Sequence, residues 1–590
     1  MAEPIKRVYE NFKGVDFAND TVSLNRSPDC KNVYKDYTSD IGKAIETRLG
    51  ILKSFKATGK IYGFYFFEQS SGLKVIVHCG TKLYKWNNYP TANTESSHIT
   101  ELYSGMNASK SSFFVYNDNL YIKDGLHYLV YDGSTCVTVT GFVPTEYIGR
   151  SPSGGGTFYQ AINLISPYRY NSIVGDGTTT LYQLSALLLD EETPQIWIND
   201  VEVTTGFTID YTLGQITFSE APSEPIGTAD NVLIKFKKTI SGYEDRVNKC
   251  NLITEFDHRI FISGNITYPN YLFHSELDDP TYFKDTAYYP DGVDKNAIKK
   301  MVVGDTELWA IKENAQQRPT IYYHTPTIDD EEGKIYPSKS SKVSTGCYSD
   351  AINFNDDIVF LSQEGLKGIN GAIDSEQLLG DRSSLVNPKL INEDDYDEAQ
   401  LQEWRGYLVC LVNGHIYLAD SRQVYQGITG YEYEWYYWDN IGLYDSENVF
   451  KKACLIKEYR GKLFIGTEDG YIAEFTGLND DNKKIVSYWT TPKDTFEYSN
   501  RIKTTNKRGG LAKLKGIKGK CKLAVNTGNF FVTNNSYMTT EYTDYVLYKI
   551  KEKKWIDIQL KFYSDEINKP FGLYSATLEA FVGSYVKRVK

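Results

Sequence analysis

Four acidic residues, Asp420, Asp439, Glu468 and Asp469, are the first candidates for chemistry. Two carboxylates held a fixed distance apart can hydrolyse a glycosidic bond, one as acid and the other as base or nucleophile. In a chain with 76 Asp and Glu their presence discriminates little, and the repeated S-x-D-x-G-x-T-W box of sialidase-like propellers is missing. The seven histidines, at 78, 98, 127, 258, 274, 324 and 415, stand in no HxH, HExxH or H-x-E context that would put two metal ligands on one face. His78 and His415 lie in strand patterns and read as structural. No GxxxxGK motif, GxGxxG or GxSxG occurs, so a phosphate cradle and a nucleophile elbow both lack their anchors. The acid-rich turns Asp329 to Gly333, Tyr289 to Asn296 and Asn479 to Asn482 offer oxygen ligands for Ca²⁺ but fit no defined loop, and are read as solvated turns. The expectation is a chain with no catalytic, cofactor-binding or metal site, and not an enzyme.

The aromatic run Gly430 to Gly442, GYEYEWYYWDNIG, has the makings of a stacking platform for sugars or bases. Its alternation of Tyr431, Tyr433, Trp435 and Tyr437 against Glu432 and Glu434 fits better with a strand whose aromatic face packs between blades or subunits. The eight cysteines are scattered without a CxxC, and Cys79 and Cys410 sit inside apolar strand patterns. They read as buried reduced thiols of a protein made in the cytosol.

The elements that must position these residues are strands. Tyr numbers 48 and Phe 28 while Met numbers 4, and β-branched residues fill the apolar runs, which favours pleated sheet. No run approaches the roughly 20 apolar residues that span a bilayer, and MAEPIKRVYENF lacks the apolar core of a signal peptide. A phrase of strand, Gly or Asn-Asp turn and second strand recurs seven times. Its strand positions fall near Val75, Leu120, Ile260, Leu308, Ile358, Leu408 and Leu463, at separations of 45, 140, 48, 50, 50 and 55. A repeat of about 40 to 50 residues with a hairpin in each copy is the signature of propeller blades, because one small sheet cannot bury both faces alone. The expectation is a mainly β chain built on a β-propeller of about seven blades, six or eight remaining open, with an N-terminal strand available to complete one of them.

The 140-residue interval implies an insertion. It opens at the Ser151 to Gly156 stretch SPSGGG and continues in short alternating strands, which reads as an immunoglobulin-like β-sandwich. The domain reading is therefore 1–58, an N-terminal segment packing on the propeller or the C-terminal domain; 59–148, the first blades; 149–241, the inserted sandwich; 242–477, the remaining blades; and 478–590, a basic C-terminal β domain. From Arg501 onward there are 18 Lys and Arg against 7 Asp and Glu, a net of +11, which leaves −23 for the preceding residues of a chain whose total is −12. Such polarity suits ordered contact between subunits.

The opening phrase NFKGVDFANDTVSLNRSPDCKNVYKDYTSDIGKAIETRLG, Asn11 to Gly50, resembles the start of a family of phage tail proteins, which typically carry "GVD…RSPD…N…Y…ETR-G". The likeness continues in Ser344 to Leu366, in YLADSR with the aromatic run, and in Ser487 to Thr504. Pro often precedes the last Gly in that family where Leu49 stands here. The family is that of the nozzle, or tubular protein B, of short-tailed phages. What the resemblance implies is a virion protein, made in the host cytoplasm, that forms a homo-oligomeric ring, typically a hexamer. It would sit below the portal and the adaptor or head–tail connector, near tail-fibre or tail-tip proteins, and conduct double-stranded DNA without binding it specifically. An acidic lumen would repel the phosphate backbone, in keeping with that role. The competing expectation is a receptor- or carbohydrate-binding tail-tip protein.

Overall fold

The computed structural model describes residues 4–38, 44–86, 99–225, 229–329, 333–370, 375, 378–505, 510–516, 518–539 and 546–586. His98 lies outside them, as do parts of the Asp329 to Gly333 turn and of the basic stretch Asn506 to Lys520. The described chain is nearly all β. Its only α-helices are the six residues Tyr243–Asn248 and the four residues Asn387–Leu390. None is long and apolar enough to cross a membrane.

Seven antiparallel meanders recur along the described chain and place it in the β-propeller class. Blade one is Ile61–Gln69, Gly72–Cys79, Lys82–Trp86 and Ile99–Ser104. Blade two is Ser112–Tyr116, Asn119–Lys123, Tyr128–Tyr131 and Cys136–Thr138. Blade three is Leu252–Phe256, Arg259–Ser263, Tyr271–His274 and Tyr288–Pro290. Blade four is Ile298–Val303, Leu308–Lys312, Ile321–His324 and Ser338–Ser340. Blade five is Ala351–Phe354, Asp357–Ser362, Gly365–Ile369 and Leu379–Asp381. Blade six is Gln400–Trp404, Tyr407–Val412, His415–Gln426 and Tyr431–Trp438. Blade seven contains Gly442–Tyr444, Phe450–Tyr459, Lys462–Thr467 and Tyr471–Phe475.

The turn dipeptides explain why these hairpins form where they do. Asn117-Asp118, Asp257-His258 and Asn355-Asp356 have positive φ at both positions, and so do Arg405-Gly406 and Arg460-Gly461. That is the backbone of the two-residue turn whose twist matches paired strands, and Asn, Asp and Gly tolerate it best. The second strand is the most buried in blades one to six, and Lys462–Thr467 is in blade seven; Asp357–Ser362 and Tyr407–Val412 are buried at every position.

The chain divides into two compact units. One comprises Met1–Phe66, Leu73–Glu101 and Thr345–Lys590; the other comprises Phe67–Gly72 and Leu102–Ser344. The first holds blades five, six and seven and most of blade one. In it, Ile51–Lys56 pairs antiparallel with Tyr471–Phe475, so a strand from early in the chain supplies the outer strand of blade seven. The same unit holds two further sheets built jointly from both ends of the sequence. Ile5–Glu10 pairs with Ser575–Tyr585, and Ile45–Thr47 pairs with Phe571–Leu573 in an eight-stranded sheet that also contains Ser487–Thr490, Gln559–Ser564 and Lys518–Asn526.

The second unit holds blades two, three and four together with nine strands between Thr145 and Lys237. Six form one sheet and three another, and Ile173, Tyr182, Ile196, Ile216, Phe218 and Ile234 form a buried core between them. Two sheets sharing one apolar core make a sandwich. One pairing, Thr145–Arg150 with Tyr168–Ile173, is parallel.

Candidate functional site

The candidate carboxylates from the sequence all lie in the first unit, and protein donors occupy three of them. Asp420, buried on the third strand of blade six, accepts from Tyr37 Oη at 2.7 Å, Gln423 Nε2 at 2.8 Å and Arg422 Nε at 3.1 Å. Asp439, just past the fourth strand, takes Lys31 Nζ at 2.5 Å and His415 Nε2 at 3.2 Å. Asp469, in the last turn of blade seven, takes Lys56 Nζ at 3.2 Å and Thr467 Oγ1 at 2.7 Å. Glu468 borders an open hollow of about 340 Å³ with Lys60, Glu398 and Lys452.

Strand register separates Asp420 from Asp439. Trp438 lies opposite Ile416, so Asp439 falls beside His415, five residues from Asp420. At about 3.3 Å per residue that is roughly 16 Å, beyond the span of about 5 to 9.5 Å that glycoside hydrolysis needs. The buried acids that do face each other are Asp420 and Glu434, cross-strand partners. Glu434 is held by Lys13 at 3.0 Å and by Arg26 through Nη2 at 2.6 Å and Nε at 3.0 Å.

The sequence reading set Tyr431, Tyr433, Trp435 and Tyr437 against Glu432 and Glu434 in a strand whose aromatic face packs; the structure buries the two glutamates as well. Both are buried, and Tyr431–Trp438 is covered on both faces from Glu432 onward. Tyr433, Trp435 and Tyr437 enter the apolar core, while Glu434 meets the cations of an N-terminal strap, residues 11–50, that crosses the blade. A buried carboxylate is stable only when paired and hydrogen-bonded, and the pairing cations sit more than 400 residues away in sequence, so no local pattern revealed it.

The described parts of the strap, residues 11–38 and 44–50, are fastened at many points. Val15 N–H donates to Trp435 O at 2.7 Å, and a Cβ on Gly14 would lie 1.8 Å from that same oxygen, so the backbone approach requires glycine. Asp16 Oδ1 accepts the N–H groups of Ala18 and Asn19. Ser27 Oγ donates to Thr490 O at 2.7 Å. Asn32 N–H donates to Tyr437 O, and its side-chain oxygen accepts from Asp439 N–H and Arg48 Nε. Arg48, fully buried, grips Asp480 through two nitrogens at 2.8 and 2.7 Å. Asp481 takes Lys53 at 2.7 Å. Of the acids in the Asn479 to Asn482 turn, Asp480 thus serves the strap and Asp481 the strand Ile51–Lys56 that follows it.

Electrostatics at the clasp follow from this pairing. Burial opposes charge on His415, but Asp439 at one ring nitrogen and Glu393 at 2.9 Å from the other outweigh it and push the imidazole up to about 9. Burial alone would raise Asp439; hydrogen bonds from His415 and Lys31 hold it well below the carboxylate range instead. Arg26 is raised because hydrogen bonding to Glu434 and its charge overcome the cost of burial.

In the second unit the turn Tyr289 to Asn296 behaves likewise. Buried Asp291 accepts from His324 Nε2 at 3.2 Å and Ser338 Oγ at 2.6 Å, and Asp294 accepts from buried Lys312 at 2.5 Å. No group of three His, Cys, Asp or Glu suited to a metal ion occurs among the described residues. His78 is buried, with Nε2 3.1 Å from Gly80 O. All eight cysteines are free and all but Cys454 are buried; burial pushes the thiols of Cys79, Cys136, Cys250 and Cys521 up to about 12.

No protein-family model matches the chain, and no curated protein matches it. Among solved structures it is similar to BamB from Moraxella catarrhalis, at 10% identity over 73% of this chain and 91% of that one, with a TM-score of 0.30. It is likewise similar to the computationally designed Ika8 protein, at 10% identity over 72% and 99%, TM-score 0.30. A third is an exo-beta-1,3-galactanase from Phanerochaete chrysosporium, at 9% identity over 55% and 95%, TM-score 0.22. Likeness at this level carries no argument about activity.

Proposed function

We propose that the chain is a structural, non-catalytic virion protein of a phage tail, a ring-forming nozzle or tube segment below the portal and adaptor through which genomic DNA leaves. The observation that carries this reading is what the phage-tail-like phrase does in the fold. Gly14, Arg26, Ser27, Asn32, Arg48 and Gly50 all belong to that phrase. Each is a point of close approach, hydrogen bonding or ion pairing between strap and body. The phrase that resembles the family is therefore architectural, as expected of a load-bearing part rather than an enzyme. The −23 charge outside the basic C-terminal region suits a surface past which a polyanion slides without being held. The partners are further copies of the chain, typically six, the adaptor or connector above, and fibre or tail-tip proteins nearby.

Mass photometry of the purified chain, alone and with its adaptor, followed by negative-stain imaging, tests the proposal. A ring with a central channel that caps the adaptor is the expected result. A monomer that ignores the adaptor at high concentration overturns it. One observation favours a second reading, a carbohydrate-binding tail-tip protein: Phe158 and Tyr159 on the inserted sandwich are 57% and 60% exposed. Glycan-array binding abolished by Phe158→Ala and Tyr159→Ala together would move the assignment there.

A further inference from the structure

The six-stranded sheet of the inserted sandwich turns two unlike faces to its surroundings. Tyr168–Ile173 and Val232–Lys237 alternate strictly between buried and half-buried positions, and Ile173, Ile196 and Ile234 enter the core. The register sets Tyr168 opposite Lys237 and Tyr170 opposite Lys235, and on the other side of Lys235 it sets Gln195, from the strand Gln195–Ile198. Cross-strand partners share a face, and so do residues two apart along a strand. Tyr168, Tyr170, Gln195, Trp197, Lys235 and Lys237 therefore all point outward from three adjacent strands.

Distances tie these side chains to one place. Tyr168, Glu192, Thr193, Gln195, Lys235 and Lys237 line a single hollow of about 310 Å³. Glu192 accepts from Tyr168 Oη at 2.8 Å and from Lys237 Nζ at 2.9 Å, which fixes one wall. Lys235 holds its ammonium 4.9 Å from the centroid of the Tyr168 ring, and among the described residues it has neither an acceptor nor an acid partner. The ring holds that cation in place while its three N–H donors stay open. Next to Lys235 the rings of Tyr170 and Trp197 lie 6.2 Å apart at 52°, both half-buried, so each keeps part of its surface in solvent. Two lysines against Glu192 leave the lining of the hollow with one uncompensated positive charge.

We propose that this face of the sandwich binds an acidic oligosaccharide, a chain of pyranose rings bearing carboxylates. A sugar ring lays its C–H face on Tyr170 and Trp197, its carboxylate meets the open donors of Lys235, and its hydroxyls reach Glu192, Thr193 and Gln195. One carboxylate matches the one uncompensated charge, whereas a phosphate group, with close to two charges, meets stronger repulsion from Glu192. The site uses residues other than Phe158 and Tyr159. It rests on neither reading of the whole chain, since a ring subunit and a tail-tip protein can each carry it.

The test uses the full chain. A mannuronate oligomer, the uncharged mannose oligomer of the same linkage, a phosphorylated mannose oligomer and polyglutamate are each titrated by calorimetry. The expected result is binding of the mannuronate oligomer in preference to the other three, weakened about fivefold in Lys235→Gln and about fivefold in Trp197→Ala. Binding should survive in Lys235→Arg, in Trp197→Phe and in Lys553→Gln, an exposed lysine elsewhere. Should Trp197→Ala fail to fold, the contrast between Lys235→Gln and Lys235→Arg decides. No binding of the mannuronate oligomer by the wild type, equal affinity in Lys235→Gln, or equal affinity for the uncharged oligomer, the phosphorylated oligomer or polyglutamate overturns the proposal. Ring assembly on the adaptor is scored separately by mass photometry, and a ring that binds no oligosaccharide overturns this proposal while leaving the structural one standing.

Discussion

Blade six and blade two are built from the same repeated phrase, yet they bury charges of opposite sign and neutralise them differently. In blade six the buried group is the anion Glu434, and two cations from the strap close on it. In blade two it is the cation Lys123, at the end of the second strand, whose ammonium donates to the carbonyls of Val247 at 2.6 Å and Asn248 at 2.8 Å and lies over the Tyr128 ring. Burial pulls Lys123 down to about 8. A charge met by a counter-charge stays charged and becomes a fastening; a buried charge met mainly by carbonyl dipoles releases its proton at a lower pH than usual.

Breaking the fastening gives the largest effect. Glu434→Ala strands Lys13 and Arg26 against the blade and is expected to cost about 3 to 5 kcal/mol in denaturant unfolding, with the strap exchanging amide hydrogens early. A loss below about 1 kcal/mol would mean that the two regions do not differ in the way described.

Lys123 provides the opposite test. Its folded pKa lies below the usual 10.5, so the folded state binds fewer protons than the unfolded one between pH 8 and 10.5, and stability from this group rises with pH across that window. Against Lys123→Met, the wild type should gain about 3 kcal/mol between pH 8 and 10.5. A flat difference would show that Lys123 stays charged.

His415 sharpens the contrast within blade six. Its folded pKa is raised from 6.5 to about 9, so its contribution is fully present below pH 6.5 and is lost as pH climbs to about 9. The advantage of wild type over His415→Gln should shrink by about 2 kcal/mol across that range, less than the whole shift would give because solvent screens the partly exposed ring, read from thermal midpoints. The smallest effect is expected at Lys82, whose pair with Glu101 is exposed on both sides; Lys82→Ala should leave the melting temperature unchanged.

The propeller class was legible because its signals are local. Each repeat phrase coincides with a hairpin, and the Asn-Asp and Arg-Gly pairs that punctuate the phrases are the residues found with positive φ. The 140-residue interval holds the nine strands from Thr145 to Lys237. What the sequence hid was everything that depends on distant pairing. Tyr-Glu alternation in Tyr431–Trp438 reads as a strand with an aromatic packing face, and the strap cations that pair with buried Glu434 come from far away in sequence. Asp420 and Asp439 have the composition of a catalytic pair, but their place in the register keeps them apart and their partners keep them occupied.

The outer strand of blade seven bears on how the chain is made. Lys56 is paired with Tyr471, so 415 residues of synthesis separate the two halves of one sheet. At about 5 to 20 residues per second a ribosome needs roughly 20 to 80 s to deliver the partner. For that time Ile51–Lys56 is an open edge with no neighbour, a template for pairing with another nascent chain. Its alternation of exposed Leu52 and half-buried Lys53 and Lys56 among apolar residues keeps charge on that edge while it waits. Late closure also makes the last blade a checkpoint: a chain truncated before Tyr471 leaves this strand unpaired, which marks it as unfinished.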